Sequence, residues 1–114
     1  MSRVIALDAM GSDRAPKPEV EGAIQAARRF GIPVALVGPE EMLQGEMNRH
    51  PFAIGLPISL VHASEVISME DKAVQAVRAK RDSTLRVGLR LVRERKAAAF
   101  ISAGNTGASV LSFS

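Results

Sequence analysis

The 114-residue sequence contains no cysteine, tryptophan or tyrosine. Without cysteine there is no disulfide framework, no thiolate nucleophile and no cysteine-based zinc site, and a cytoplasmic setting is compatible with this. Aromatic residues make up only 4% of the chain, all four of them Phe, which argues against a nucleic-acid binder that stacks bases on exposed rings. Long apolar runs are missing as well. The longest, residues 97–101, falls far short of the roughly 18 residues a membrane-spanning helix needs. The start of the chain reaches Asp8 after four apolar residues, too few for the core of a signal peptide. His50 and His62 stand apart, so a metal site built on a histidine pair has no support. Glu65, Glu70 and Asp71 read as helix caps and dipole partners, and neither metal nor cofactor is expected. Internal repeats, low-complexity tracts and linkers are absent, so residues 1–114 are expected to contain no domain boundary.

What is present is the composition of a soluble globular chain, 46% hydrophobic and 24% charged, with a formal net charge of +3. That charge is unevenly placed. Residues 78–96 hold eight basic side chains against two acids, and the remainder holds seven basic against ten acidic. The basic character therefore belongs to one segment.

Short apolar runs alternate with amphipathic segments of helical length, the pattern of βαβ units around a parallel sheet. Residues 4–7 form the first strand, opening into a small polar loop over 8–13. Pro16 and Pro18 mark a helix start, Val20, Ala23, Ile24 and Ala27 follow at helical spacing, and Gly31-Ile32-Pro33 ends the run. A second strand covers 34–37, closed by Gly38-Pro39, and residues 40–47 form a short helix with acids in its first turn. Residues 48–57 read as an irregular connection and 58–61 as a third strand ending in His62. Helices are expected over 70–78 and again up to Arg95, separated at 80–83, with a fourth strand over 97–102. After Gly107 a further helix is expected. Four strands without their next crossover leave an open parallel edge, so the sequence reads as the first part of a larger domain.

Candidate chemistry collects at the strand ends, where open α/β sheets bind their ligands. Gly104-Asn105-Thr106-Gly107 follows the fourth strand, and glycines there let the backbone turn tightly and approach a ligand. The N–H groups of a helix beginning at this turn would favour an anion, with Asn105 and Thr106 adding side-chain donors. The plainer alternative is a strand-to-helix turn capped by Thr106. Asp8, Gly11 and Asp13 occupy the corresponding place after the first strand, where Asp13 suits a helix cap and Asp8 suits either a site or its own turn. His62, at the end of the third strand, suits a general base or a group orienting a substrate oxygen. Arg78, Lys80 and Arg81 meet Asp82-Ser83-Thr84 at a corner fit for phosphate. Arg86, Arg90 and Arg93 fall on one helical stripe, which reads as solvated, with Arg90 and Glu94 at pairing distance in sequence.

Taken together, Ile5-Ala6-Leu7-Asp8-Ala9-Met10-Gly11-Ser12-Asp13-Arg14-Ala15-Pro16, His62-Ala63-Ser64-Glu65-Val66-Ile67-Ser68-Met69-Glu70-Asp71, the stretch 78–83 and Ser102-Ala103-Gly104-Asn105-Thr106-Gly107-Ala108 resemble the bacterial phosphate acyltransferase family. The resemblance implies an incomplete three-layer α/β/α sandwich with a mainly parallel sheet, of the isocitrate/isopropylmalate dehydrogenase type and related to phosphotransacetylases. It implies transfer of a fatty acyl group from acyl carrier protein to inorganic phosphate, giving an acyl phosphate for phospholipid synthesis. It also implies a homodimer in the cytoplasm, associated peripherally with the membrane and its glycerol-phosphate acyltransferase. Relatives are several times longer, so residues 1–114 would be the N-terminal part of one domain, inactive alone. Phosphate holding then falls to Lys80, Arg81 and Ser83 with the loop Gly104, Asn105, Thr106 and Gly107. Gly11 contributes to substrate binding, and Asp8 and His62 to polar positioning.

The sequence departs from the family pattern in places. Ser12 replaces a second glycine, Ala73 a proline, and Ser83-Thr84-Leu85 a Ser-Ser-Met, while residues 110–114 differ from the usual continuation. Alternatives are a phosphotransacetylase using acyl-coenzyme A, a dehydrogenase of the same fold, or a non-catalytic module whose 78–96 segment grips an acidic protein, RNA or anionic lipid.

Overall fold

A computed structural model describes residues 3–12, 14–64, 84–104 and 107–112. Strand β1 (Ile5–Asp8) leads into helix α1 (Lys17–Phe30), strand β2 (Val34–Gly38) and helix α2 (Glu40–Met47). A 3-10 turn, Pro51–Ala53, precedes strand β3 (Ile58–His62). Helix α3 (Thr84–Arg93) then leads into β4 (Ala99–Gly104) and β5 (Gly107–Ser112). The five strands form one sheet in the order β3-β2-β1-β4-β5. The first four are parallel, and β5 runs antiparallel to β4.

Local chemistry sets most boundaries. Pro18 lies in the first turn of α1, where its missing N–H costs nothing. Gly31 ends the helix in the left-handed conformation, φ 66, its N–H returning to the Ala27 carbonyl. The buried face of α1 carries Val20, Ala23, Ile24 and Ala27, the four positions the helical spacing singled out. Strand β4 begins two residues later than its apolar run predicts. The N–H groups of Lys96 and Ala97 still bond the Leu91 carbonyl at 2.9 and 3.1 Å, so these residues finish α3 before the strand can start.

The sheet separates two cores. Leu36, Val34 and the flank of Leu7 pack with Val20, Ile24 and Leu43 beneath α1 and α2. Ala6, Val37 and Phe100 pack on the other face with Val87 and Val92 of α3. Alternate residues of β1 and β2 thus point into different layers, and every residue of β2 is buried. At Gly88 α3 lies close against the sheet, and a Cβ there would collide with the Phe100 ring.

Two expectations are corrected here. Residues 107–112 form a strand, not the start of a helix, and the edge of β4 is therefore not open. An unpaired β4 would expose a row of main-chain donors and acceptors. Folding back through a two-residue connection satisfies them locally, and Ser109-Val110-Leu111-Ser112 favours a strand over a helix. The helix expected over 70–78 lies outside the described residues.

Candidate active site

The carboxyl ends of the parallel strands place His62, Gly38, Asp8 and Gly104 along one rim of the sheet, in that lateral order. Between β1 and β4 the connections diverge, α1 and α2 covering one face and α3 the other. This is the topological switch point, where the loops splay apart and leave a crevice. Asp8 and Gly11 from β1, and Ser102 and Gly104 from β4, border it.

Asp8 is buried, 5% exposed. Its Oδ1 accepts the Met10 N–H at 3.0 Å and its Oδ2 accepts the Ser102 hydroxyl at 2.8 Å. Burying a carboxylate is costly unless its oxygens are hydrogen-bonded, and here both are engaged. Asp8 thus makes its own turn and also ties the loop after β1 to the end of β4. Gly38 makes room for this loop: a Cβ there would stand 3.2 Å from Met10 Cγ and 3.6 Å from Ala9 Cβ.

A second buried carboxylate holds the far side of the same loop. Glu19, in the first turn of α1 and 7% exposed, accepts the Ser12 N–H through Oε2 at 2.9 Å and the Ser12 hydroxyl through Oε1 at 3.0 Å. The serine standing where the family pattern has glycine therefore adds a donor to the loop. No side-chain cap closes the start of α1, and Asp13, expected in that role, lies outside the described residues.

His62 is arranged differently. It is exposed, and its Nδ1 accepts the Glu40 N–H at 3.2 Å, capping α2. An Nδ1 that accepts leaves the proton of the neutral ring on Nε2, so the imidazole presents a donor outward. As drawn by this geometry it can orient a substrate oxygen, whereas a base would have to give up the cap. Two strand spacings separate β3 from β1, roughly 10 Å, so His62 and Asp8 cannot share one substrate atom.

Lys80, Arg81 and Ser83, and Asn105 and Thr106, lie outside the described residues. Thr84, the residue after Ser83, is buried at the start of α3. Since α3 returns against the parallel strands, that start lies toward the crevice rim. Gly104 and Gly107 are register partners across the β4–β5 pair. The anion site argued from a helix beginning at Gly107 loses that helix, because the chain continues as β5. On α3, Arg90 and Arg93 are exposed and Arg86 is half-buried. Glu94 pairs with Lys96 at 3.2 Å rather than with Arg90; Arg95, between them, takes φ 61. Among the described residues no group of three His, Asp or Glu could hold a metal ion.

Ser102 and Glu19 are the site-bordering residues that sequence reasoning missed. Glu19 carried a usable signal, an acid in the first turn of a helix that offers no capping side chain. Ser102 carried none, because its partner lies 94 residues away.

Residues 3–112 match the family model described as fatty acid synthesis protein. The chain is 61% identical over 110 residues to a protein named phosphate acyltransferase from Koribacter versatilis, covering 96% of this chain and 31% of that one. It is 56% identical over 106 residues to a protein of the same name from Acidobacterium capsulatum, covering 93% and 32%. A third of that name, from Trichlorobacter lovleyi, is 51% identical over 106 residues, covering 93% and 30%. The chain thus spans about a third of the length of these curated relatives.

Proposed function

The chain belongs to the fatty acid synthesis protein family, and on that premise we propose that it forms part of an acyltransferase moving a fatty acyl group from acyl carrier protein to inorganic phosphate. The observation that carries the reading is the crevice between β1 and β4, bordered by Asp8, Ser102 and glycine-bearing strand ends, in a chain whose relatives are named phosphate acyltransferase.

A phosphate oxygen attacks the thioester carbonyl, the new C–O bond forms as the C–S bond breaks, and the proton of the phosphate passes to the departing thiolate. The products are an acyl phosphate, used in phospholipid synthesis, and free carrier protein. This chemistry needs cations and N–H groups for phosphate and a donor for the carbonyl oxygen. Lys80, Arg81 and Ser83 with Asn105 and Thr106 hold phosphate in this reading, and Gly104 and Gly107 keep the backbone close. Gly11 binds substrate. Asp8 acts through Ser102 and Met10 as a positioning residue, and His62 supplies an Nε2–H at the edge. These 114 residues supply no cysteine for a thiol acyl-enzyme, and direct attack by bound phosphate is the simpler scheme. No helix among the described residues is long and apolar enough to cross a membrane; a homodimer that meets the membrane and its glycerol-phosphate acyltransferase peripherally is part of the same reading.

The test is acyl-phosphate formation by a full-length relative carrying the changes equivalent to Lys80→Ala and Asn105→Ala. Each should lower kcat/KM by about 100-fold or more. Unchanged rates would overturn the residue assignment, and transfer from acyl-coenzyme A but not from carrier protein would overturn the donor.

A further inference from the structure

The two rims of the sheet differ in charge. Each described helix returns against the parallel strands and ends at the rim opposite the crevice, where Ala98 N–H bonds the Val4 carbonyl, Ile5 N–H that of Pro33 and Val34 N–H that of Pro57. Arg28 and Arg29 close α1 there, and Arg90 and Arg93 close α3. Cations in a last turn answer the helix dipole and need no further reason. Arg3 before β1, Arg49 after α2, and Arg95 and Lys96 after α3 lie outside the helices, and the dipole does not account for them. Against these eight exposed bases stand two acids: Glu94, paired with Lys96 at 3.2 Å, and Glu46, half-buried beside His50. The crevice rim, among the described residues, sets Asp8, Glu19, Glu40 and Glu41 against Arg14, Lys17 and Arg86.

Three large apolar side chains are exposed at the basic rim: Phe30, 71%, at the end of α1, and Phe52 and Ile54, 61% and 87%, between α2 and β3. The guanidinium of Arg28 lies 5.8 Å from the Phe52 ring centre and that of Arg29 5.7 Å from the Phe30 ring centre, so cation and ring are held at one level. The bases come from both layers, Arg28, Arg29 and Arg49 beside one core and Arg90, Arg93 and Arg95 beside the other. They straddle the sheet instead of lining one groove, which suits a broad anionic plane, and the same rim of a second copy would be repelled.

We propose that this rim is the contact surface for an anionic lipid bilayer, with Phe30, Phe52 and Ile54 entering the headgroup layer and the arginines beside them meeting lipid phosphates. The crevice then stands one helix length, about 20 Å, above the bilayer and opens toward solvent, where a carrier protein can reach it. The inference goes beyond the acyl-transfer reading by naming a surface and an orientation, and it rests on charge and exposure, not on the reaction.

The experiment sediments the 114-residue chain with vesicles of phosphatidylcholine alone and of equal parts phosphatidylcholine and phosphatidylglycerol. The chain should bind the anionic vesicles, leave them as salt rises from about 0.1 to 1 M, and ignore the neutral ones. Arg49→Gln combined with Arg93→Gln, one exposed cation from each layer, should weaken binding about 30-fold. Ile54→Asn should weaken it about tenfold and leave the salt dependence unaltered. Equal binding to both kinds of vesicle would overturn the inference, and the unmodified chain decides that without any variant. So would a larger loss from Lys80→Gln with Arg81→Gln, the residues assigned to phosphate, than from the rim pair. A chain that ignores both vesicles but binds polyglutamate would make the rim an interface for an acidic protein instead. Acyl-phosphate formation is assayed separately on a full-length relative, so none of these outcomes decides the proposed reaction.

Discussion

Asp8 and His62 both end parallel strands on the same rim of the sheet, yet their surroundings differ. Asp8, on a central strand at the switch point, is buried with both oxygens bonded. His62, on the outer strand β3, is exposed and makes one bond to the start of α2. A strand end in the middle of the sheet becomes a junction between two chain segments, because neighbours on both sides desolvate it and must satisfy it. A strand end at the edge caps what lies nearest and keeps its other face for solvent or substrate. Position in the sheet, more than residue type, decides which polar side chain is structural and which is free.

That contrast can be broken by urea denaturation of single variants. Asp8→Ala strands the Ser102 hydroxyl and the Met10 N–H in the buried junction and should cost about 2–4 kcal/mol. A loss below about 1 kcal/mol would mean that the junction is not built around the carboxylate. Gly88→Ala, on the α3 face beneath the same junction, gains helix propensity but drives a methyl into Phe100, for a net loss of about 1–3 kcal/mol. Stabilisation there would show that α3 can move off the sheet. Ser102→Ala removes one donor from a carboxylate that keeps its Met10 bond, and about 1–2 kcal/mol is expected. At the edge, His62→Ala should cost less than about 1 kcal/mol. His62→Asn, whose Oδ1 can still take the Glu40 N–H, should be indistinguishable from the parent, while His62→Gln should match the alanine variant. If His62→Ala proves as damaging as Asp8→Ala, the distinction between centre and edge collapses.

Much of this architecture was legible because the signals are local. Proline and glycine punctuate α1, and Glu40-Glu41 after Gly38-Pro39 places α2 over the range found. Asp8 and Gly11 were legible for the same reason, since a polar residue following a buried strand marks a strand end. The lateral order of the strands was not legible: β1, the first strand in sequence, lies at the centre of the sheet between β2 and β4, and only that order brings Ser102 to Asp8. The helix expected after Gly107 failed on a related point. Residues 107–112 carry only a short run that favours a strand, and pairing with the free edge of β4 is what fixes it as one. Glu19 was overlooked because an acid in a first turn is ordinarily explained by the helix dipole, an explanation that hid its grip on Ser12.

The bond between Asp8 and Ser102 spans 94 residues of chain, whereas β4 and β5 meet through two. Closing a long loop costs more entropy than closing a short one, and contacts distant in sequence accumulate late. The hairpin can therefore assemble while the strand-end crevice does not yet exist, and the crevice appears only once β1 has been inserted between β2 and β4. The crevice is accordingly the last feature formed on folding and the first lost when the centre of the sheet opens.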